Sequence, residues 1–375
     1  MATDAVSVID APHHRGTKSR MTLPRLWTLL LGCALASACT LAHAATTSIT
    51  YEPKPGPGSG RHLVFLTGDE EYRGEEGLPM LAKILSQRHG FKCTVLFALD
   101  PDGTINPDNN KSVPHSEALD TADGIVLALR FRQWPDDAMK RFADAVARGV
   151  PIIALRTSTH SFRFPENSPS AYKRFNNFGR EVLGENWVSH WGANRRGATR
   201  GIIVPAVRND PILRGVTEIF GDSGVYETHP VAGSRILAHG QVLKGMSPND
   251  PPDLEQRKTR KSDGQEQGIN DPMMPIAWTR LNRNQNGTTN RVFCTTMGAA
   301  TDLVNEGLRR MVVNAVLMCF AIEIPEKTDV RYVDPYEPAP YAFKGYRRGI
   351  TPDDHALGKT LRAGAPVPAT EKKKS

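Results

Sequence analysis

Between residues 62 and 155, short apolar runs alternate with stretches in which apolar residues recur at helical spacing. Residues 62–67 (HLVFLT) lead into Gly68, as a buried strand feeding a turn does. Leu78, Leu81, Ala82 and Leu85 then predict a helix that stops at His89-Gly90. Residues 94–98 and 124–129 predict a second and a third strand. Pro135, followed by Asp136 and Asp137 at the positive end of a helix dipole, opens a helix with Ala138, Met139, Phe142, Ala145 and Val146 on one face. Residues 150–155 predict a fourth strand. Strands that are apolar throughout, alternating with amphipathic helices, indicate an α/β fold with a doubly wound, mostly parallel sheet covered by helices on both faces.

The later half is less regular. Residues 202–204, 234–238, 274–279 and 291–296 predict strands, and Leu303, Leu308, Met311, Val312, Ala315, Val316 and Cys319 line a closing helix. Residues 247–270 carry charges that alternate in sign, the pattern of a solvated surface loop. Residues 45–60, rich in Pro, Gly, Ser and Thr, predict a linker, so the main domain spans residues 61–325. Residues 326–375 contain Pro and Tyr without periodicity and end in a charged tail. They predict an extended segment draped over the domain and disordered at its end.

Composition narrows the classes. With 39% hydrophobic and 23% charged residues, 375 residues suffice for a sizeable core. Lys and Arg number 47 against 40 Asp and Glu, a net +7 of which +5 belongs to residues 45–375. That excess is too small for a nucleic-acid footprint. Arg25, an apolar run from Leu26 to about Ala38, and small residues at Ala42 and Ala44 form a signal-peptide pattern. Residues 1–44 are therefore expected to be removed after Ala44, with Met21 a candidate true start and a periplasmic or secreted product. A lipid anchor at Cys39 is the alternative, weakened because Ala36 stands where a lipobox has Leu. No later run reaches the roughly 18 apolar residues of a membrane helix. Cys93, Cys294 and Cys319 each sit in an apolar stretch and read as small buried hydrophobes.

Open α/β sheets bind ligands beyond the carboxyl ends of their strands, so the residues just past each strand are the candidates. These are Asp69, Glu70, Tyr72 and Arg73 after the first strand, Arg130, Arg132 and Trp134 after the third, and Arg156, Thr157 and His160 after the fourth. Carboxylates accepting from hydroxyls, guanidiniums donating to carbonyl oxygens and aromatic faces against C–H surfaces suit a neutral polyhydroxylated or carbonyl-bearing small molecule. The plainer alternative has Asp69 and Glu70 capping the next helix and pairing with Arg73. Alternation along an extended chain turns only one of Arg130 and Arg132 inward. In Trp187-Val-Ser-His-Trp-Gly192, His190 and Trp191 belong to an aromatic cluster able to stack a sugar ring, although packing alone also accounts for it. Walker, dinucleotide, HExxH and G-x-S-x-G motifs are absent, and no cofactor or metal is predicted.

Several blocks in order resemble the ThuA-like (trehalose utilisation) family, whose fold is similar to class I glutamine amidotransferases. They are Thr67-Gly-Asp-Glu-Glu-Tyr-Arg73, Val188-Ser-His-Trp-Gly192, Asp210-Pro-Ile-Leu-Arg-Gly215, Val225-Tyr-Glu-Thr-His-Pro230, Pro275-Ile-Ala-Trp-Thr279 and Arg291-Val-Phe-Cys-Thr-Thr-Met-Gly298. The amidotransferase resemblance implies a nucleophilic Cys where this chain has Arg156, and a His near Gly298-Ala299, where it has none. A guanidinium cannot form a thioester, so glutaminase chemistry is not expected. The resemblance implies an exported protein that binds or transforms a carbohydrate or keto sugar. As an enzyme it would use Glu70 for proton transfer, Arg156 to polarise a carbonyl, and His160 or His190 for a second proton. Arg156→Ala and Glu70→Gln are then expected to abolish turnover while sparing the fold. A non-catalytic ligand-binding or protein-interaction module on the same scaffold is the alternative.

Overall fold

The computed structural model describes residues 46–361. The expected signal peptide (residues 1–44), Cys39 within it and the charged tail fall outside the described residues. In chain order the strands are β1 (Ser48–Tyr51), β2 (His62–Gly68), β3 (Lys92–Leu96), β4 (Gly124–Leu129), β5 (Ile152–Ala154), β6 (Ser189–His190) and β7 (Thr199–Ile203). They continue with β8 (Ile219–Gly221), β9 (Tyr226–Glu227), β10 (Arg235–Val242), β11 (Arg257–Thr259), β12 (Glu266–Gly268), β13 (Met274–Arg283) and β14 (Thr289–Thr295). The α-helices are α1 (Gly74–His89), α2 (Asp136–Ala147) and α3 (Glu306–Cys319).

Ten strands make one sheet in the order β1-β3-β2-β4-β5-β14-β13-β10-β7-β8. Its centre, β3-β2-β4-β5-β14, pairs in parallel. The other pairings are antiparallel, so only β1, β13 and β7 oppose the common direction. This is the doubly wound α/β fold. The chain leaves β2 for β3 on one side and returns to β4 on the other, which places the topological switch point beyond the carboxyl ends of β2 and β4.

The wholly apolar strands are explained by the layers they separate. Leu63 and Phe65 of β2 pack with Leu78, Leu81 and Leu85 of α1 and with Leu308, Met311 and Val312 of α3. Val64 and Leu66, on alternate positions, pack with Ala138, Met139 and Phe142 of α2 on the opposite face. Burying each such side chain contributes roughly 1.5–3 kcal/mol, so packing on two faces holds the sheet. Gly90 ends α1 with a φ of 81°, a left-handed conformation glycine adopts without penalty. Cys93, Cys294 and Cys319 are buried free thiols, and burial pushes the Cys319 thiol up to about 12.

Three expectations need correction. Residues 45–60 are not a plain linker, because β1 adds an antiparallel edge to β3 and buries Tyr51, whose hydroxyl donates to the His355 carbonyl at 2.8 Å. The second strand begins two residues earlier than its apolar run suggested, since β3 is set by its ladder with β2. Residues 247–270 are largely solvent-exposed, as expected, but they are not all loop: they contain a hairpin, β11–β12, whose turn donates to Glu227 of the β6–β9 ladder. The described part of the C-terminal segment is anchored across α1. Lys83 Nζ donates to Asp334 at 2.5 Å, and a His89 ring nitrogen is hydrogen-bonded to the Asp329 carbonyl at 2.7 Å. Among the described residues no helix is long and apolar enough to cross a membrane.

Candidate functional site

The loop after β2 is shaped by Asp69. Its Oδ1 accepts from the backbone N–H groups of Glu71 (2.9 Å) and Tyr72 (3.2 Å), and its Oδ2 accepts from the Thr157 hydroxyl at 3.1 Å. Asp69 thus holds the turn and ties it to the end of β5, with both oxygens engaged. Arg73 enters α1 in the left-handed region (φ 60°) and is fully buried. It donates to the carbonyls of Glu70 (2.6 Å) and Ala342 (2.9 Å), so it joins two loops and does not face a ligand.

Beyond β4, Phe131 has a φ of 51°, and this turn breaks the extended alternation assumed for its neighbours. Arg130 and Arg132 therefore both converge on Glu70: Arg130 pairs with one carboxylate oxygen, and Arg132 donates to the other at 3.1 Å. Glu70 is clamped between two guanidiniums, and Arg132 is further engaged by the Pro107 carbonyl at 3.0 Å. Trp134 packs edge-on against Phe142 and Phe162 within the α2 layer and faces no crevice.

At the end of β5, Arg156 is 1% exposed. Its guanidinium carbon lies 4.2 Å from the Tyr72 ring centre and 4.1 Å from that of Tyr226. Nη1 donates to the carbonyls of Gly224 (3.0 Å) and Thr296 (2.7 Å), and Nη2 to the Tyr72 hydroxyl (3.1 Å) and Asn194 Oδ1 (3.5 Å). Burial works against this charge, but Tyr226, Tyr72 and Asp302 outweigh it and raise the pKa above its ordinary value. Only Nε has no partner, so the expected polarising of a substrate carbonyl has no free terminal nitrogen to use. Thr157 follows at φ 73°, a conformation that costs a β-branched residue on the order of 1–3 kcal/mol.

The far wall comes from the β6–β9 ladder, which sets His190 opposite Tyr226. His160, Trp187, His190 and Tyr226 pack ring to ring, with centres 5.1 Å (His160–Trp187), 6.0 Å (Trp187–His190) and 5.2 Å (His190–Tyr226) apart. Burial, then Arg156, Lys258 and Arg130, lower His190 to about 4. Burial with Arg130 and Arg156 pushes His160 well below the usual imidazole range. Both rings are neutral at pH 7. The hairpin secures this wall: Lys258 Nζ donates to the carbonyls of His190 (2.6 Å) and Trp191 (2.9 Å), and the amides of Lys261 and Ser262 donate to the Glu227 carboxylate (2.8 and 2.9 Å). Trp191 is in the core, its indole N–H on the Ile269 carbonyl at 2.8 Å, so Trp187 is the tryptophan of the cluster.

The remaining wall belongs to the C-terminal segment. Tyr341 stacks on Tyr72 at 5.1 Å, and its hydroxyl donates to the Asp222 carbonyl at 3.0 Å. The Ala342 amide donates to the Glu71 carbonyl at 2.9 Å. Tyr72 and Tyr341 pack on Ala299, at the position where the amidotransferase resemblance implies a histidine. Glu71 is 8% exposed, and burial and then Asp69 raise its pKa while Arg130 and Arg156 partly hold it down. Sequence reading passed over Glu71, Trp187, Asn194, Tyr226 and Tyr341. Glu71 and Tyr226 lie in blocks already singled out, whereas nothing local marks Tyr341. Among the described residues no three His, Cys, Asp or Glu side chains stand together as metal ligands.

No protein-family model matches the chain, and no curated protein matches it significantly. Solved structures do. A protein described as ThuA-like from Parabacteroides merdae has 12% identity and a TM-score of 0.41, covering 71% of this chain and 92% of its own. This chain is similar to ThuA-like proteins. A second, from Bacteroides uniformis, has 12% identity and a TM-score of 0.37, with 70% and 91% covered. PurLQS from Thermotoga maritima has 11% identity and a TM-score of 0.33, with 69% and 98% covered. At these identities and TM-scores the likenesses fix neither an activity nor a ligand.

Proposed function

We propose that this chain is an exported ThuA-like protein that binds and transforms a neutral carbohydrate or keto sugar, without glutaminase activity. The observation that carries the reading is the buried Arg156 guanidinium held against the rings of Tyr72 and Tyr226 at the elbow after β5. A stacked, multiply bonded guanidinium supplies no nucleophile there. What surrounds it is a packed cluster of aromatic rings with two imidazoles whose pKa values are lowered and one carboxyl, Glu71, held above its ordinary pKa.

Aromatic faces suit the C–H surfaces of a sugar ring, and neutral imidazoles both donate to and accept from hydroxyls. Proton transfer next to a carbonyl is best served by a group whose pKa approaches the working pH. Glu71, with its pKa raised, meets that condition, whereas the Glu70 carboxylate is occupied by Arg130 and Arg132. Glu71 is therefore assigned the proton transfer, with His190 or His160 as the hydrogen-bonding partner of the substrate oxygen. The engagement of both Arg156 and Glu70 favours a second reading, a binding module without turnover.

The test is thermal unfolding of the chain with disaccharides, their 3-keto derivatives, sugar acids and glutamine. A ligand at about a hundred times its dissociation constant adds roughly 2.7 kcal/mol, which is several degrees for a domain of this size. The reading requires a rise with saccharides and product formation from the keto sugar by mass spectrometry. Binding without product selects the module, and a rise with glutamine accompanied by ammonia release overturns both.

A further inference from the structure

We infer that Asn286 is a site of spontaneous deamidation, and that its conversion to a carboxylate loosens the β13–β14 turn from the end of α2. The chain contains one Asn-Gly step, Asn286-Gly287, and it stands in the turn between those strands with both residues exposed. In such a step the backbone nitrogen that follows the asparagine attacks the side-chain carboxamide, and glycine, which has no Cβ, hinders that attack least. Gly287 has a φ of 88°, and beyond its chain neighbours no atom lies within 4 Å of the place a Cβ would take.

The side chain is already folded forward along the chain. Asn286 Oδ1 accepts from the Thr288 amide at 3.2 Å, and the Thr288 hydroxyl lies 2.8 Å from the same oxygen. These contacts carry the carboxamide toward the Gly287 peptide and polarise its carbonyl. The Gly287 N–H closes the turn onto the Asn284 carbonyl at 2.9 Å, so attack follows the opening of that one bond in an exposed turn. The Gly287 nitrogen gives up its proton to water and bonds to Cγ; the Cγ–Nδ2 bond breaks, and Nδ2 takes a proton and leaves as ammonia. Water then opens the cyclic imide at either carbonyl, giving aspartate or isoaspartate.

The group that leaves is a structural donor. Asn286 Nδ2 donates at 2.8 Å to the carbonyl of Ala147, the last residue of α2, while Asn284 and Asn290 donate to the Val146 carbonyl at 3.0 and 2.9 Å. Side chains of the β13–β14 turn thus satisfy carbonyls that end the helix. After deamidation a carboxylate stands where the donor stood, facing a carbonyl at the negative end of the helix dipole.

The experiment incubates the full chain at pH 8, folded and in urea, and follows the peptide carrying residues 284–291 by mass spectrometry with isoaspartate detection. Thermal unfolding of Asn286→Asp and Asn286→Gln is measured alongside. The expected result is loss of the Asn286 amide in the folded chain ahead of every other asparagine, with release of ammonia, and a lower melting temperature for Asn286→Asp than for Asn286→Gln. An amide retained in the folded chain while the urea-unfolded chain converts overturns the site, as does earlier conversion of another asparagine. Equal melting temperatures of the two variants overturn the loosening.

Discussion

The guanidinium carbon of Arg156 lies 4.1 Å from the centre of the Tyr226 ring and 4.2 Å from that of Tyr72. An arginine buried this way is a structural centre as much as a functional one, because it joins the end of β5 to the turn after β14 and to the β9 region through the Thr296 and Gly224 carbonyls.

Arg156→Ala is consequently not neutral for the fold, contrary to the expectation from sequence. It leaves the Gly224 and Thr296 carbonyls without their guanidinium donor, removes one of the two donors to the Tyr72 hydroxyl, and opens a cavity beside two rings. A loss of about 3–5 kcal/mol, read by denaturant titration, is the expected outcome. A variant as stable as wild type would remove the structural role.

Glu70 and Glu71 are expected to separate in mutagenesis. Glu70→Gln leaves the buried Arg132 without its carboxylate and should cost about 2–4 kcal/mol of stability. Glu71→Gln should keep the melting temperature and lower turnover of a keto sugar by roughly 10²–10⁴-fold. In wild type, the acidic limb of kcat/KM should lie above the ordinary glutamate range, since burial raises Glu71, and it should vanish in the Gln variant. Turnover retained in Glu71→Gln would remove the assignment.

Glu75 predicts a pH effect on stability. It is fully buried near Arg73, neither carboxyl oxygen has a hydrogen-bond donor, and burial pushes it up to about 7. The folded protein therefore holds this proton more tightly than the unfolded chain. The contribution is complete below about pH 4.5 and is lost as pH rises to about 7. Glu75→Gln should flatten that decline in chemical denaturation measured from pH 4.5 to 8; an unchanged pH slope would count against it.

His190 acts in the opposite sense. Its folded pKa of about 4 lies below the ordinary 6.5, so its contribution is present above pH 6.5 and disappears as pH falls toward 4. His190→Gln should reduce acid sensitivity in that window without altering stability at pH 8. Denaturation midpoints of the variant and wild type that fall in parallel from pH 6.5 to 4 would contradict this.

Tyr341 tests the C-terminal wall. Tyr341→Ala removes the stack on Tyr72 and the hydrogen bond to Asp222, and should cost about 2–4 kcal/mol. Protease cleavage within residues 338–347 should accelerate. Unchanged cleavage would mean that Tyr341 does not hold the segment.

The parallel centre of the sheet was legible in the chain because it is buried on both faces, and two-sided burial writes a continuous apolar run. β2, β4, α1 and α2 were read for that reason, and Arg156 at the elbow followed from their order. The antiparallel half and β1 were less legible, since one-sided or four-residue strands leave weaker patterns. Which polar residues serve the site was decided by the tertiary structure alone. One positive φ at Phe131 turns both Arg130 and Arg132 onto Glu70, and Trp134 and Trp191 are taken into the core. Tyr341 reaches the site from about 270 residues away along the chain, as the Arg73–Ala342 hydrogen bond records. Local sequence encodes burial and periodicity; contacts between distant segments depend on how the packed layers meet, and that relation exists only in the folded chain.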